Sequence, residues 1–330
     1  MKRIALMCMI AAALLSSCGS RSAASSQTRT ETPDTVSTVA FDADSAYRYV
    51  EQQLAFGPRV PATPEHKACR QWIVRKLREF GADTIIEQLA TVTNPGGKKM
   101  EICNILARFK GTKSPGDRLL YLAHYDTRPH ADAETDAERI AQPVPGANDG
   151  GSGVAVLLET ARQLGRQRAE RDIDLLFVDA EDGGNDNVPD SWALGSQYWS
   201  QHKPYALTPA DPLPRFAVLV DLVGGIDAKF YPEYYSQQMA PQVVDLVWNA
   251  ARKAGHAASF PTELGGGVTD DHIYINDGGI PAIDIIETNN PATGGFPPTW
   301  HTLDDDIRSI DRNTLRAVGE TLMTVARQNI

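Results

Sequence analysis

Cysteine is scarce in this 330-residue chain: there are four, two of them, Cys8 and Cys18, near the start. Cys69 and Cys103 stand apart, without the paired spacing of a thiolate metal site. We read them as two small buried side chains, although an oxidising compartment would also let them pair. Positive charge is short as well, with 32 Lys and Arg against 42 Asp and Glu and a net charge of −10. No basic patch could offset phosphate repulsion, which excludes nucleic acid as a partner. There is no internal repeat, and no apolar run reaches the roughly 20 residues needed to span a bilayer. What is present is a 42% hydrophobic content, enough for one large core in about one or two domains.

The N-terminus has the order of a secretion signal: Lys2-Arg3, then apolar residues 4–15. It ends in Leu15-Ser16-Ser17-Cys18-Gly19, which resembles a bacterial lipoprotein box. That resemblance implies a signal peptide over 1–17, cleavage before Cys18 and lipidation of its sulfur. Residues 18–40, rich in Ser, Thr and Ala, read as a flexible tether. The expected arrangement is a monomeric domain, residues 41–330, held in the periplasm of a bacterial envelope with the membrane touched only through Cys18.

Within that domain the periodicities alternate. Thr63-Pro64-Glu65 opens a helix that Gly81 closes. Residues 84–92 and 101–109 read as a strand pair around an Asn94-Pro95-Gly96-Gly97 turn, and Pro115-Gly116 as a further turn. Residues 119–123, 173–178, 216–220 and 280–286 are continuous apolar strands. Residues 154–164, with Ser152 as N-cap, 241–254 and 311–327 read as amphipathic helices. Residues 128–145 read as a surface loop, and Asp132, Glu134, Asp136 and Glu138 in it as a solvated face. Continuous strands alternating with helices indicate a three-layer α/β/α domain around a mixed, mostly parallel sheet.

Several strands finish in acids: Asp126, Glu181 with Asp182, Asp221 and Glu287. Ligands of open α/β sheets bind beyond those ends. Crowded carboxylates repel unless a cation neutralises them. Asp149 joins them from a turn in which Gly150, Gly151 and Gly153 permit close approach. Carboxylates with a histidine and no cysteine cluster suit zinc, and we select Asp149, Asp182 and His301 as its ligands. Three protein ligands leave a fourth position open, the catalytic arrangement. Asp304 is the expected acceptor orienting His301. Glu181 points away from its neighbour Asp182 and is the candidate general acid/base.

The blocks His124-Tyr125-Asp126-Thr127, residues 146–153, Ala180-Glu181-Asp182, residues 221–224, Asp270-Asp271-His272 and Trp300-His301-Thr302 resemble, in order, those of the zinc aminopeptidase-like superfamily. Asp270-Asp271-His272 and Trp300 before His301 make the chain most similar to glutaminyl-peptide cyclotransferases of animal and Bacteroidetes type. The resemblance implies one zinc per chain on Asp149, Asp182 and His301, with Glu181 as proton shuttle. It further implies that Asp221 and Asp271 share a hydrogen bond, that Trp192 and Trp300 form substrate walls, and that a cis peptide follows Asp149. Asp182 departs from the glutamate usual in the animal enzymes and is one methylene shorter.

The activity implied is conversion of N-terminal Gln of peptides or proteins to pyroglutamate with release of ammonia. Such a substrate carries its own nucleophile, so one zinc as Lewis acid suffices. His124 and Asp221, candidate ligands of a second zinc, keep a di-zinc aminopeptidase as the competing reading. A non-catalytic, lipid-anchored binding protein would have no use for Glu181.

Overall fold

In a computed structural model, residues 41–113, 116–185, 187–188 and 190–328 are described. The expected signal peptide, Cys18, the tether, Pro115 and Asp186 lie outside them. Helix α1 (Ala43–Leu54) starts on Asp42, whose carboxylate accepts from the amides of Asp44 and Ser45. Helix α2 (Pro64–Glu79) has Thr63 as N-cap and proline in its first turn. Strands β1 (Thr84–Thr93) and β2 (Lys99–Phe109) pair antiparallel from Thr84↔Arg108 to Thr93↔Lys99. Then come β3 (Arg118–His124), the one-turn α3 (Ala137–Ile140), α4 (Gly151–Arg166) and β4 (Asp172–Val178). Helix α5 (Leu194–Gln201), β5 (Ala217–Val220), α6 (Tyr234–Met239) and α7 (Pro241–Lys253) follow. Helix α8 (Asp271–Asp277), β6 (Ala282–Ile285) and α9 (Arg312–Arg327) complete the series.

Among the described residues the sheet has six strands in the order β1-β2-β4-β3-β5-β6. The hairpin joins antiparallel through β2 and β4, and β4, β3, β5 and β6 run parallel. Alternate residues of β3 leave the sheet on opposite faces: Leu119, Tyr121 and Ala123 pack with α1, α2, α4, α7 and α9. Leu120 and Leu122 pack on the other side with Trp199, Ile275 and Ile280. Burial on both faces explains why these strands read as unbroken apolar runs. Each fully buried leucine contributes about 1.5–3 kcal/mol. Cys69 and Cys103 are free and buried, and burial pushes their thiols up to about 12 and about 11.

Two expectations need correction here. Helix α4 begins at Gly151 behind Gly150, and Ser152 is not its cap. The Ser152 hydroxyl instead donates to the Asn148 carbonyl at 2.6 Å and accepts from the Val223 amide at 3.0 Å. The loop 128–145 is not wholly irregular, since Asp136 caps α3. Helices α1, α5, α6 and α8 were not anticipated; three of the four have eight residues or fewer, too short for a clear period.

Candidate active site

Because β3, β4 and β5 are parallel neighbours, the segments leaving them open on one edge of the sheet. His124 ends β3, Glu181 and Asp182 follow β4, and Asp221 follows β5. Helix α4 presses its N-terminus against this edge: a Cβ on Gly153 would lie 2.2 Å from the Val220 carbonyl oxygen. Gly150 adopts φ +72°, and a Cβ there would meet the Asp126 carbonyl oxygen and the His124 ring at 2.9 Å. No cis peptide occurs among the described residues, which corrects the one expected after Asp149; the positive φ of Gly150 makes the turn.

Two buried carboxylates fix the backbone that carries the acids. Asp126 accepts from the amides of Glu181 and Asp182, both at 3.1 Å. Asp305 accepts from those of Asn148 at 2.8 Å and Asp149 at 3.0 Å. Ala180, Leu222 and His301 hold left-handed φ of 55°, 50° and 54°. Such conformations are costly for residues other than glycine and gather where a side chain must be aimed against backbone preference. Here they flank or include Glu181, Asp221 and the histidine.

The chosen ligand set comes together. Donor atoms of Asp149, Asp182 and His301 lie within 4.8 Å of one another, and all three residues are buried. His301 Nε2 is 3.2 Å from Asp182 Oδ1 and 3.8 Å from Asp149 Oδ2. Asp182 Oδ2 is buried with no hydrogen-bond partner, an orphaned acceptor on a residue of this cluster. Two carboxylates, one imidazole and an unsatisfied oxygen fit a divalent zinc. The acceptor on His301 Nδ1 is Asp132 at 2.9 Å, not Asp304, whose side chain is 63% exposed and pairs with Arg308. The loop acid read as solvated is thus the one that orients the ring.

A second group also meets within 4.8 Å: His124, Asp149 and Asp221. His124 Nε2 stands 3.2 Å from Asp149 Oδ1 and 3.1 Å from Asp221 Oδ1. The hydrogen bond expected between Asp221 and Asp271 is not formed: Asp221 turns to His124, and both Asp271 oxygens lack a partner. Asp270, the N-cap of α8, faces the cavity in its stead. Adjacent residues at a helix start point in different directions, so the choice within Asp270-Asp271 could not be made from order alone.

Glu181 lines the cavity and is 9% exposed. Burial, then the charge of Asp270, raises its carboxyl well above the usual range. Burial and the neighbouring Asp149 raise Asp182 to about 6; burial, with Asp149 and Asp270, raises Asp221 to about 7 despite His124. Burial opposes charge on His301, but Asp182, Asp132 and Asp149 outweigh it and raise the ring to about 9. These are the marks of anions crowded without a cation.

The cavity holds about 760 Å³, within the usual range for small-molecule sites. Trp192 and Trp300 both line it, as expected, and Phe296 joins them. Trp300 stacks on His301 with centroids 3.6 Å apart and on Phe296 at 4.6 Å. Phe296 carried no sequence signal beyond being aromatic near His301. Of the remaining histidines, His66 pairs with Asp179 at 2.8 Å and His256 with Glu320 at 2.6 Å, both away from the cavity.

Comparison with known proteins matches this geometry to a family. A glutaminyl cyclase of Bacteroides thetaiotaomicron, solved with N-acetylhistamine, superposes with a TM-score of 0.83 at 44% identity, over 88% of this chain and 99% of that one. A leucine aminopeptidase precursor of the same species gives 0.82 at 42%, over 88% and 98%. Bovine glutaminyl-peptide cyclotransferase is 25% identical over 293 residues, 80% of this chain and 76% of the relative. Residues 104–326, which carry His124 through His301, match Peptidase family M28, and the chain belongs to that family.

Proposed function

We propose that this enzyme is a zinc-dependent glutaminyl-peptide cyclotransferase that turns N-terminal Gln of peptides or proteins into pyroglutamate. The observation that carries this reading is the likeness, across nearly the whole chain, to the Bacteroides thetaiotaomicron glutaminyl cyclase. Asp149, Asp182 and His301 would hold a single zinc ion, which when bound supplies Lewis-acid polarisation of the γ-amide carbonyl. The chain's own groups do the rest. Trp192, Trp300 and Phe296 fold the Gln side chain back so that its α-amine faces the carbonyl carbon of the side-chain amide. Glu181 takes a proton from the attacking amine as the new C–N bond forms. It returns that proton to the amide nitrogen as the old C–N bond breaks and ammonia leaves. A raised pKa suits both halves of that task. Asp221 and Asp270 line the cavity with Glu181 and set its field; Asp271 stands behind them without facing the cavity.

A di-zinc aminopeptidase is the second reading, favoured by the group His124, Asp149 and Asp221. Purified protein offered a Gln-initiated peptide and, separately, Leu-amide divides them. Ammonia from the first is the cyclase result, and free leucine from the second is the peptidase result. We propose further that residues 1–17 are a signal peptide and that lipidated Cys18 anchors a periplasmic monomer. Partition of the full chain into detergent, lost on Cys18→Ser, tests the anchor.

A further inference from the structure

We propose that Arg128 is the positioning residue through which the metal ligands and the substrate wall are set together. This rests on zinc being held by Asp149, Asp182 and His301. Arg128 is only 8% exposed and opens the loop after β3. Its Nε lies 3.1 Å from both carboxylate oxygens of Asp132, and its Nη2 donates to the same group. Asp132 in turn accepts from His301 Nδ1, which leaves Nε2 for the metal side. The remaining fork nitrogen, Nη1, donates to the backbone carbonyls of Asp182 at 2.9 Å and Gly184 at 3.2 Å. One guanidinium therefore holds the turn of one ligand and the orienting acid of another.

The same planar group lies 4.7 Å from the ring centre of Trp192. Trp192 also sits against Gly184, where an added Cβ would fall 2.1 Å from the indole. The wall thus rests on the backbone turn and the cation that organise the metal side chains. Arginine is specified, since lysine has neither the rigid fork for carboxylate and carbonyl partners nor a flat face to stack. A lone ion pair between Arg128 and Asp132 would be a loop fastening; contacts to Asp182 and Trp192 make it a junction.

The test measures zinc affinity by chelator competition and, at saturating zinc, KM for a Gln-initiated peptide. Arg128→Lys is expected to weaken zinc by about 10–100-fold and to raise KM several-fold. Asp132→Asn should weaken zinc alone and leave KM at saturating zinc near wild type. Trp192→Ala should raise KM and, less obviously, weaken zinc several-fold, because the guanidinium loses its platform. Arg128→Ala should recover zinc affinity when guanidinium ion is added. Arg128→Lys with both constants as in wild type, or with only one changed, overturns the proposal. If that variant does not fold, unchanged zinc affinity in Trp192→Ala does the same. Wild-type protein that takes up no zinc overturns the metal assignment and this inference with it. Zinc uptake without turnover of the peptide removes the cyclase reading only, and the zinc arms still decide the role of Arg128.

Discussion

The two groups that share Asp149 differ in how their histidines are held. His301 has its Nδ1 fixed by Asp132 at 2.9 Å, lines the cavity, and has its Nε2 3.2 Å from Asp182 Oδ1. His124 is 1% exposed, does not line the cavity, and has its Nδ1 3.5 Å from Asp126 with no hydrogen bond. Its Nε2 instead reaches Asp149 and Asp221 at hydrogen-bonding distance. Both rings sit among acids that favour their charged form in the metal-free protein; what differs is that Nδ1 of His301 has a fixed acceptor and Nδ1 of His124 has none. Burial opposes charge on His124, but Asp221, Asp126 and Asp149 outweigh it and raise the ring well above the usual histidine range, as happens for His301. Two groups of the same composition, one histidine and two aspartates, thus differ in the orientation of one ring nitrogen.

The largest effects should come from breaking each histidine in turn. His301→Ala is expected to remove zinc, measured as metal per chain, and to take ammonia release to background. His124→Ala is expected to keep zinc near one per chain and to lower activity without abolishing it. The reverse pattern would move the metal to the other group. Glu181→Gln sharpens the contrast by leaving both groups intact: kcat should fall by about 10²–10⁴-fold, with zinc content unchanged. A variant retaining more than about a tenth of wild-type kcat would mean that another group carries the proton.

Asp132→Asn against Asp304→Asn is the next smaller step. The first should weaken zinc by about 10–100-fold, as loss of an orienting partner does, and the second should leave it within about twofold. That pair also marks how far the sequence could be read. The parallel strands and the meeting of Asp149, Asp182 and His301 were legible, because buried strands show as apolar runs and their carboxyl ends share an edge. The choice of Asp132 was not, since Asp132 and His301 are 169 residues apart and only the folded loop brings them together. Asp270 over Asp271 was hidden for a different reason: order fixes that neighbours diverge, and α8 fixes which one faces inward. The short helices α5, α6 and α8 stayed illegible because their stability comes from packing onto the sheet.

The mildest test concerns pH. A histidine raised to about 9 in the metal-free protein is protonated at neutral pH, yet it must give up that proton to bind metal. Zinc affinity should therefore rise with pH through the interval from 7 to about 9, by about tenfold per unit for each proton displaced. Asp182, raised to about 6, has already lost its proton there and adds nothing to the slope. The same shift carries a stability sign. A base raised above its unfolded value stabilises the metal-free fold fully below about 6.5, and that contribution fades as pH climbs through about 9. Zinc-loaded protein should not show the loss, because the metal replaces the proton on Nε2. An affinity that is flat above pH 7 would mean that His301 is neutral in the metal-free protein. Its pairing with Asp132 would then be the orienting hydrogen bond of a neutral ring, not the grip on a cation that the surrounding acids imply.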